Sequence, residues 1–167
     1  MDNPVSHSVY LALGSNVGDR LAALRAARDE LKPYLTITAT SKIYEALPAY
    51  VSDQPAFLNA VISGTTMLDP QILLYTVKAA ERKIGRTPTF HYGPRIIDID
   101  ILFYDDLQLQ TTALTLPHPR LAERIFVLRP LADIAPDLQH PGNGKTVYEM
   151  LDMLPDADSV TPINETL

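Results

Sequence analysis

The sequence has no cysteine, no long apolar run and no secretory leader pattern. Without cysteine, disulfide bonds and thiolate metal sites are excluded. No segment approaches the roughly 20 apolar residues of a membrane-spanning helix. The N-terminus also does not pass from basic to apolar residues as a signal peptide does. We therefore expect a cytoplasmic protein that does not enter membranes.

Basic residues are scarce as well: 14 Lys and Arg stand against 20 Asp and Glu, which gives a net charge of −6. This balance argues against nucleic-acid binding, which requires a basic surface. Many of the arginines nevertheless fall between Arg82 and Arg129. They would suit a small polyanion bound together with its metal ion, although scattered surface charges would give the same distribution.

The most informative stretch is FHYGPRIIDIDILFY at positions 90–104. It predicts a turn at Gly93-Pro94 that leads into a strand rich in β-branched residues. Side chains alternate between the two faces of a strand, so Asp98 and Asp100 should share one face. The other face should carry Ile97, Ile99, Ile101 and Phe103.

Two carboxylates on so apolar a strand are costly unless a positive charge compensates them. Mg²⁺ is a suitable partner, because it is typically held by one or two carboxylates together with substrate phosphates. Arg95 and Tyr92 lie close by in sequence and could contact a phosphate and a flat ligand. The alternative is that Asp98 and Asp100 simply lie on the solvated face of an amphipathic strand.

Apolar periodicity predicts elements in the order β-α-β-β-α-β. Strands are expected at 8–13, 35–44 and 56–66, followed by the acidic strand. Helices are expected after Asp19 and between Asp69-Pro70 and Gly85. The order is that of a ferredoxin-like α+β fold with a mostly antiparallel sheet. A doubly wound parallel sheet would need a helix between the second and third strands.

The rest of the chain carries weaker signals. Residues 107–116 have weak strand character, 121–131 suggest a short helix leading into another strand, and 146–154 suggest a last helix. We expect one domain over residues 1–154. The segment 155–167 has little to bury, and we expect a disordered tail.

Two isolated residues are further candidates for a site. Asn59 is a polar amide in an apolar strand, and it could read the edge of a heterocycle or be an ordinary paired amide. His118 lies between two prolines, which would aim its ring if it binds a ligand.

With these residues in view, the sequence resembles the 6-hydroxymethyl-7,8-dihydropterin pyrophosphokinases of the folate pathway. The combined pattern G-P-R-x-x-D-x-D and P-H-P-R-x-x-x-R is the most specific part of the resemblance. The segments that carry it, in family order, are ALGSN at 12–16, DQPAFLNAV at 53–61, ERKIGR at 81–86, YGPRIIDIDIL at 92–102, LPHPRLAERIFVLRPL at 116–131 and IAP at 134–136.

The resemblance implies a reaction and a set of ligands. ATP would donate its β,γ-pyrophosphoryl unit to the hydroxymethyl oxygen of the pterin, giving AMP and the pterin diphosphate, with two Mg²⁺ ions. It also implies a monomer with a three-layer αβα elaboration of the ferredoxin-like core. Nucleic acid and membranes would not be partners.

The resemblance further assigns residues to roles. Asp98 and Asp100 would hold the Mg²⁺ ions, and Arg86 and Arg95 would clamp the phosphates. The ATP-binding positions are Glu81, Ile101, Thr115, His118 and Arg124. The pterin-binding positions are Phe57, Asn59, Tyr92 and Phe126.

The sequence also departs from the family pattern. The loop at 87–91 is one residue shorter and lacks the usual basic residues, and Tyr92 stands where tryptophan is frequent. Ala113 and Pro119 replace an arginine and a tyrosine found in some members. We expect these changes to affect the catalytic rate and the contribution of the loop to ATP affinity. A non-catalytic ferredoxin-like module and another metal-dependent phosphotransferase or nuclease are the competing functions.

Overall fold

The computed structural model describes residues 3–50 and 53–167. Within these ranges, six strands form the main sheet: β1 (His7–Ser15), β2 (Thr36–Thr40), β3 (Tyr44–Ala46), β4 (Phe57–Thr66), β5 (Asp98–Tyr104) and β8 (Val160–Pro162). Strands β6 (Leu109–Gln110) and β7 (Thr115–Leu116) form a separate pair. The α-helices are α1 (Arg20–Leu31), α2 (Pro70–Ile84), α3 (Ile125–Ile134) and α4 (Val147–Asp152).

The main sheet has the order β5-β1-β4-β3-β8, and β2 pairs with the far part of β4. Every pairing is antiparallel. Because α1 follows β1 and α2 follows β4, the connections are those of the split βαβ arrangement. The predicted ferredoxin-like α+β fold with a mostly antiparallel sheet is confirmed.

The second predicted strand, at 35–44, is divided into β2 and β3 by Ser41. The Val61 amide of β4 donates to the Ser41 hydroxyl oxygen at 2.8 Å, and the Ser41 amide donates to the Val61 carbonyl at 2.9 Å. The side chain therefore takes the place of a backbone acceptor, and pairing resumes at Tyr44.

Helices cover both faces of the sheet. The Asp19 side chain caps the start of α1, and the Asp69 side chain caps the start of α2, whose first residue is Pro70. Gly85 caps the end of α2, and its φ of 120° suits only glycine. Leu24 and Val77 from these helices pack on one face, while Leu128 of α3 and Met150 of α4 belong to the core on the other. Each such buried side chain contributes roughly 1.5–3 kcal/mol. The result is an αβα arrangement of three layers.

A β-bulge alters the prediction for β5. Tyr10 pairs with Phe103 and Leu11 with Ile101, which leaves Leu102 as an extra residue on β5. A bulge reverses the alternation of side chains beyond it. Phe103 therefore packs under α3 and α4, and its predicted place with Ile97, Ile99 and Ile101 was wrong; those three isoleucines do share the core under α1 and α2.

Two segments near the C-terminus also differ from expectation. The stretch 121–131 leads into α3 and not into a strand, because Val127, Leu128 and Leu131 face the sheet with helical spacing. Residues 155–167 were expected to be disordered, but they contain a short 3₁₀-helix and β8, which pairs with the open edge of β3. Composition alone does not reveal this pairing partner.

The assignment of 1–154 to one domain stays a prediction, and residues 1, 2, 51 and 52 of that range lie outside the described residues. In the part of the chain that the structure describes, no helix combines the length and apolar character needed to cross a membrane.

A buried tyrosine connects β3 to α3 and yields a stability prediction. The Tyr44 hydroxyl donates to the Asp133 carboxylate at 2.8 Å and 3.0 Å. Burial is the larger cause and the neighbouring Asp133 the smaller one that together raise the pKa of Tyr44 to about 12, so the hydroxyl remains a donor.

Tyr44→Phe should lower the free energy of unfolding by about 1 kcal/mol, because one buried hydrogen bond is lost. Urea denaturation measures this change. Tyr148→Phe, at an exposed ring on α4, is the control; equal midpoints for both variants would contradict the assignment.

Candidate active site

A cavity of about 230 Å³ opens where the C-terminal end of β1 meets the N-terminal ends of β4 and β5. Asp98 and Asp100 of β5 line it, as do Phe57 and Asn59 of β4. The start of α3 adds Phe126, so charged and aromatic residues face one space. The cavity lies on the face of the sheet that α3 covers.

Gly14 of β1 lies between the carboxylates of β5 and the Phe57 and Asn59 side chains of β4. It pairs with Asp98 of β5 on one side and with Asn59 of β4 on the other. A Cβ atom at position 14 would lie 3.1 Å from Asn59 Oδ1 and 3.8 Å from the Phe57 ring. The missing side chain therefore leaves the floor of the cavity open between the carboxylates and the amide.

Cationic side chains from three segments surround the two carboxylates. Arg86 Nη1 contacts Asp98 Oδ1 at 2.5 Å, and Arg95 Nη1 lies 3.8 Å from Asp98 Oδ2. Asp100 Oδ2 has more distant neighbours, Arg124 Nη1 at 3.9 Å and His118 Nε2 at 4.0 Å. Asp98 is thus closely paired, whereas Asp100 is only loosely compensated.

The pKa values of the two carboxyl groups diverge accordingly. Burial acts to raise the pKa of Asp98, but Arg95 and Arg86 outweigh it and hold that pKa below its usual value. Burial and the charge of Asp98 raise the pKa of Asp100 to about 7. Burial and Arg124 lower the pKa of His118 to about 4, so its ring is neutral at pH 7. The positive charge of Arg124, 3.9 Å from Asp100, therefore does not offset burial and the charge of Asp98, and a bound cation would add the charge that favours ionised Asp100.

Glu81 of α2 supports the cationic side of the site from below. It is buried, accepts from the Ile99 amide at 2.8 Å and from Arg86 Nη1 at 3.1 Å, and pairs with Lys78 Nζ at 3.2 Å. Burial raises the pKa of Glu81. The contacts hold Arg86 against β5, where it reaches Asp98.

A second recess, of about 530 Å³, adjoins the first between the end of α2 and the loop at 87–92. Lys78, Arg82, Arg86 and Arg95 line it. Arg95 and Tyr92 border both spaces. A ligand with several phosphates could therefore extend from the aspartates into a cationic recess.

Two residues that line the cavity, Asn59 and Arg95, each carry a buried donor without a partner in the described part of the chain. Among the described residues, Asn59 Nδ2 and Arg95 Nε are the buried side-chain polar atoms that make no hydrogen bond. An unpaired buried donor costs about 1–3 kcal/mol. Both atoms belong to residues that line the cavity, which points to a ligand that brings acceptors to both ends of it.

Aromatic rings and arginines form the mouth of the cavity. Tyr50 stacks on Tyr92 with ring centroids 4.3 Å apart, and the guanidinium of Arg120 lies over both rings. Arg124 Nε donates to the Tyr50 hydroxyl at 3.1 Å. Sequence reasoning identified Tyr92 but missed Tyr50 and Arg120, whose contacts depend on loops distant in sequence.

Most of the predicted site residues lie together. The cavity is lined by Phe57, Asn59, Tyr92, Arg95, Asp98, Asp100, His118, Arg124 and Phe126. Glu81 and Arg86 line the adjoining recess. Ile101 and Thr115 line neither space. The Ile101 side chain lies in the core under α1 and α2, and Thr115 of β7 pairs with Gln110 of β6. The roles of all these residues stay predictions.

Comparison with known proteins identifies the family. The model of the 7,8-dihydro-6-hydroxymethylpterin-pyrophosphokinase family matches residues 10–136. The 2-amino-4-hydroxy-6-hydroxymethyldihydropteridine pyrophosphokinase of Aquifex aeolicus is 44% identical over 142 residues, which cover 85% of this chain and 89% of that protein. The chain belongs to the 7,8-dihydro-6-hydroxymethylpterin-pyrophosphokinase family.

Other relatives are longer than this chain. The folic acid synthesis protein fol1 of Pneumocystis carinii is 40% identical over 154 residues, which cover 92% of this chain and 21% of that protein. The chain spans 20% to 25% of the length of this and four similar curated relatives. A crystal structure of Plasmodium falciparum HPPK-DHPS has the same fold, with a TM-score of 0.75 at 18% identity over 90% of this chain and 46% of that one.

Asn16, in the ALGSN segment, connects the two loops at the site. Its side-chain oxygen accepts from the Arg95 amide at 2.9 Å, and its own amide donates to the Arg95 carbonyl at 3.1 Å. Its Nδ2 donates to Gln54 Oε1 at 2.9 Å, and Gln54 donates to the Tyr92 carbonyl at 2.8 Å. The sequence placed Asn16 within the ALGSN segment of the family resemblance, and these hydrogen bonds to distant loops were not predicted.

Asn16→Ala should loosen Arg95 without altering the core. The variant removes the acceptor of the Arg95 amide, so hydrogen exchange at that amide should accelerate about five- to tenfold. Hydrogen exchange measured by NMR would test this expectation. Asn143→Ala, which removes the acceptor of the Lys145 amide in a distant loop, is the matched control. Unchanged protection of Arg95 in Asn16→Ala would rule out the linking role.

Proposed function

We propose that this chain transfers the pyrophosphoryl group of ATP to the hydroxymethyl group of 6-hydroxymethyl-7,8-dihydropterin in folate biosynthesis. The observation that carries the proposal is the placement of Asp98 and Asn59 on either side of Gly14 in three adjacent strands. A site for phosphates with metal ions and a site for a flat heterocycle thus share one cavity. Family membership and the names of the relatives support the same reaction.

The aromatic end of the cavity suits the pterin. Phe57 and Phe126 offer faces on which a flat ring can stack. The unpaired Asn59 Nδ2 would donate to an acceptor on the edge of the ring. Tyr92, stacked on Tyr50 at the mouth, would cover the bound pterin. Stacking and one buried amide give selectivity for a neutral heterocycle.

The cationic end suits the triphosphate of ATP. Arg86 and Arg95 lie beside Asp98, and Arg124 and His118 lie beside Asp100. Glu81 holds Arg86 in place. We assign Glu81, Ile101, Thr115, His118 and Arg124 to the ATP side, with Ile101 and Thr115 resting on the family pattern alone.

Asp98 and Asp100 are suitable ligands for Mg²⁺, and we propose that they hold two ions. Among the described residues, no group of three or more His, Asp or Glu side chains is placed to hold a metal. Two carboxylates suit an ion whose remaining ligands are substrate phosphates and water. Burial and the charge of Asp98 raise the pKa of Asp100, so a bound cation would favour the ionised form of its carboxyl group. When bound, the ions would neutralise phosphate charge and align the attacking and leaving oxygens.

The protein's own contribution is positioning and charge neutralisation. The pterin hydroxymethyl oxygen would attack the β-phosphorus of ATP, and the bond from that phosphorus to the bridging oxygen would break. AMP leaves with the bridging oxygen, and the hydroxyl proton passes to solvent. Arg86 and Arg95 would take up the charge that develops on the bridging oxygen. Neutral His118 would hold phosphate by a hydrogen bond.

The same proposal includes a monomer that acts in the cytoplasm without nucleic acid. The net charge of −6 supports the absence of nucleic acid, because the phosphate backbone of DNA or RNA would be repelled.

The direct test is AMP production from ATP and Mg²⁺, with and without 6-hydroxymethyl-7,8-dihydropterin. Pterin-dependent AMP without ADP is expected, because the leaving group is AMP. ADP as the product would indicate transfer of a single phosphoryl group. Absence of both pterin binding and AMP would overturn the proposed function.

Asp100→Asn tests the metal site with almost no change in side-chain shape. Because Asp100 is only loosely paired, the variant should stay folded while turnover falls about 10²–10³-fold, the loss typical of removing one electrostatic contact to the transition state. Turnover and thermal unfolding are measured together. Asp137→Asn, at an exposed carboxylate, is the matched control. Full activity of Asp100→Asn would refute its role as a ligand.

A further inference from the structure

The last residues of the chain, 160–167, lie beyond the part that the family model matches. We call them the C-terminal strap. They begin with β8, which pairs residue by residue with β3: Ala46 with Val160, Glu45 with Thr161 and Tyr44 with Pro162. The Ile163 amide then donates to the Ile43 carbonyl at 2.9 Å. All three residues of β3 are therefore paired with the strap.

Strand β3 leads directly into the cavity wall. The chain passes from Ala46 to Leu47, Pro48, Ala49 and Tyr50, all of which line the cavity. On its inner side β3 is held by pairing with only Phe57, Leu58 and Asn59 of β4. So short a strand depends on both neighbours for its position.

Val160 of the strap also supports an aromatic wall of the cavity. It is 6% exposed and forms a small core cluster with Tyr44 and Ala46. Phe126 packs against this cluster and also lines the cavity. A change at Val160 therefore alters the support of Phe126 without touching the cavity itself.

The far end of the strap is anchored on the opposite layer. Arg25 of α1 donates to the Thr166 carbonyl through Nε at 3.1 Å and through Nη2 at 2.7 Å. Ile163 and Leu167 pack against the core under α1 and α2. The strap thus wraps around the edge of the sheet and is held on both sides of it.

We propose that the C-terminal strap is a positioning element for the pterin side of the active site. The inference rests on the proposed function, since it assigns Phe126 and the 47–50 loop to the pterin. Strand β8 lies at one edge of the sheet, and β5 with Asp98 and Asp100 lies at the other. Of the residues assigned to ATP, Arg124 contacts this region, through Tyr50 and Phe126. A disturbed strap should therefore weaken pterin binding much more than the binding of ATP.

The test compares Val160→Ala with wild type in the full chain. Val160→Ala removes part of the packing behind Phe126, so we expect the Kd and KM for 6-hydroxymethyl-7,8-dihydropterin to rise about ten- to a hundredfold, equivalent to about 1.4–2.8 kcal/mol. The Kd of a nonhydrolysable ATP analogue with Mg²⁺ should change much less. Calorimetry measures both affinities well below the unfolding temperature of each variant. Pterin saturation curves then separate KM from kcat.

Two further variants distinguish positioning from general stability. Val160→Ile keeps the apolar contact, and its pterin affinity should equal that of wild type. Thr161→Ala changes an exposed strap residue and should match wild type. If Val160→Ala does not fold, Val160→Thr, which keeps the side-chain shape but places a hydroxyl in the cluster, is judged by the same criterion.

The outcomes separate this inference from the proposed function. Unchanged pterin affinity in Val160→Ala, or an equal loss of pterin and nucleotide affinity, would overturn the positioning role while wild-type turnover upholds the reaction. Wild type that binds no pterin would instead overturn the proposed function, and the strap inference with it.

Discussion

The site depends on two partly buried carboxylates that lie side by side on one face of β5. Their charge explains why Arg86, Arg95 and Arg124 converge from three separate segments. The compensation is uneven, and Asp100 keeps a pKa of about 7 while Asp98 is held ionised. A low-dielectric pocket makes such an imbalance costly, so a cation bound at Asp100 would relieve an electrostatic cost that the folded chain already carries.

The sheet separates this charged region from the aromatic side of the cavity, formed by Phe57 and Phe126. The order β5-β1-β4-β3-β8 places carboxylates at one edge and aromatic support at the other, with the side-chain-free Gly14 between them. Asn16, just past the same strand, connects the loops that carry Arg95 and Gln54. One strand, β1, thus keeps the two halves of the site at a fixed separation.

Features set by neighbouring residues were predictable from the sequence. The alternation that pairs Asp98 with Asp100, and the cap at Asp69 with the stop at Gly85, are local rules that the structure obeys. The family resemblance added the aromatic and cationic positions. Features that depend on distant partners were not predictable: the bulge at Leu102 needs the register with β1, and the order of the tail needs the open edge of β3. Tyr50 and Arg120 were missed for the same reason, since their rings and charges meet only in the folded chain.

The pairing of β8 with β3 also bears on solubility. An uncovered edge strand offers unpaired amides and carbonyls to other chains and favours aggregation. A fragment cut at the end of the family match, at residue 136, would lose both α4 and β8. It would expose the β3 edge together with the apolar surfaces of Tyr44, Ala46 and α3. The residues after the matched region therefore cover an edge strand that would otherwise be open to other chains.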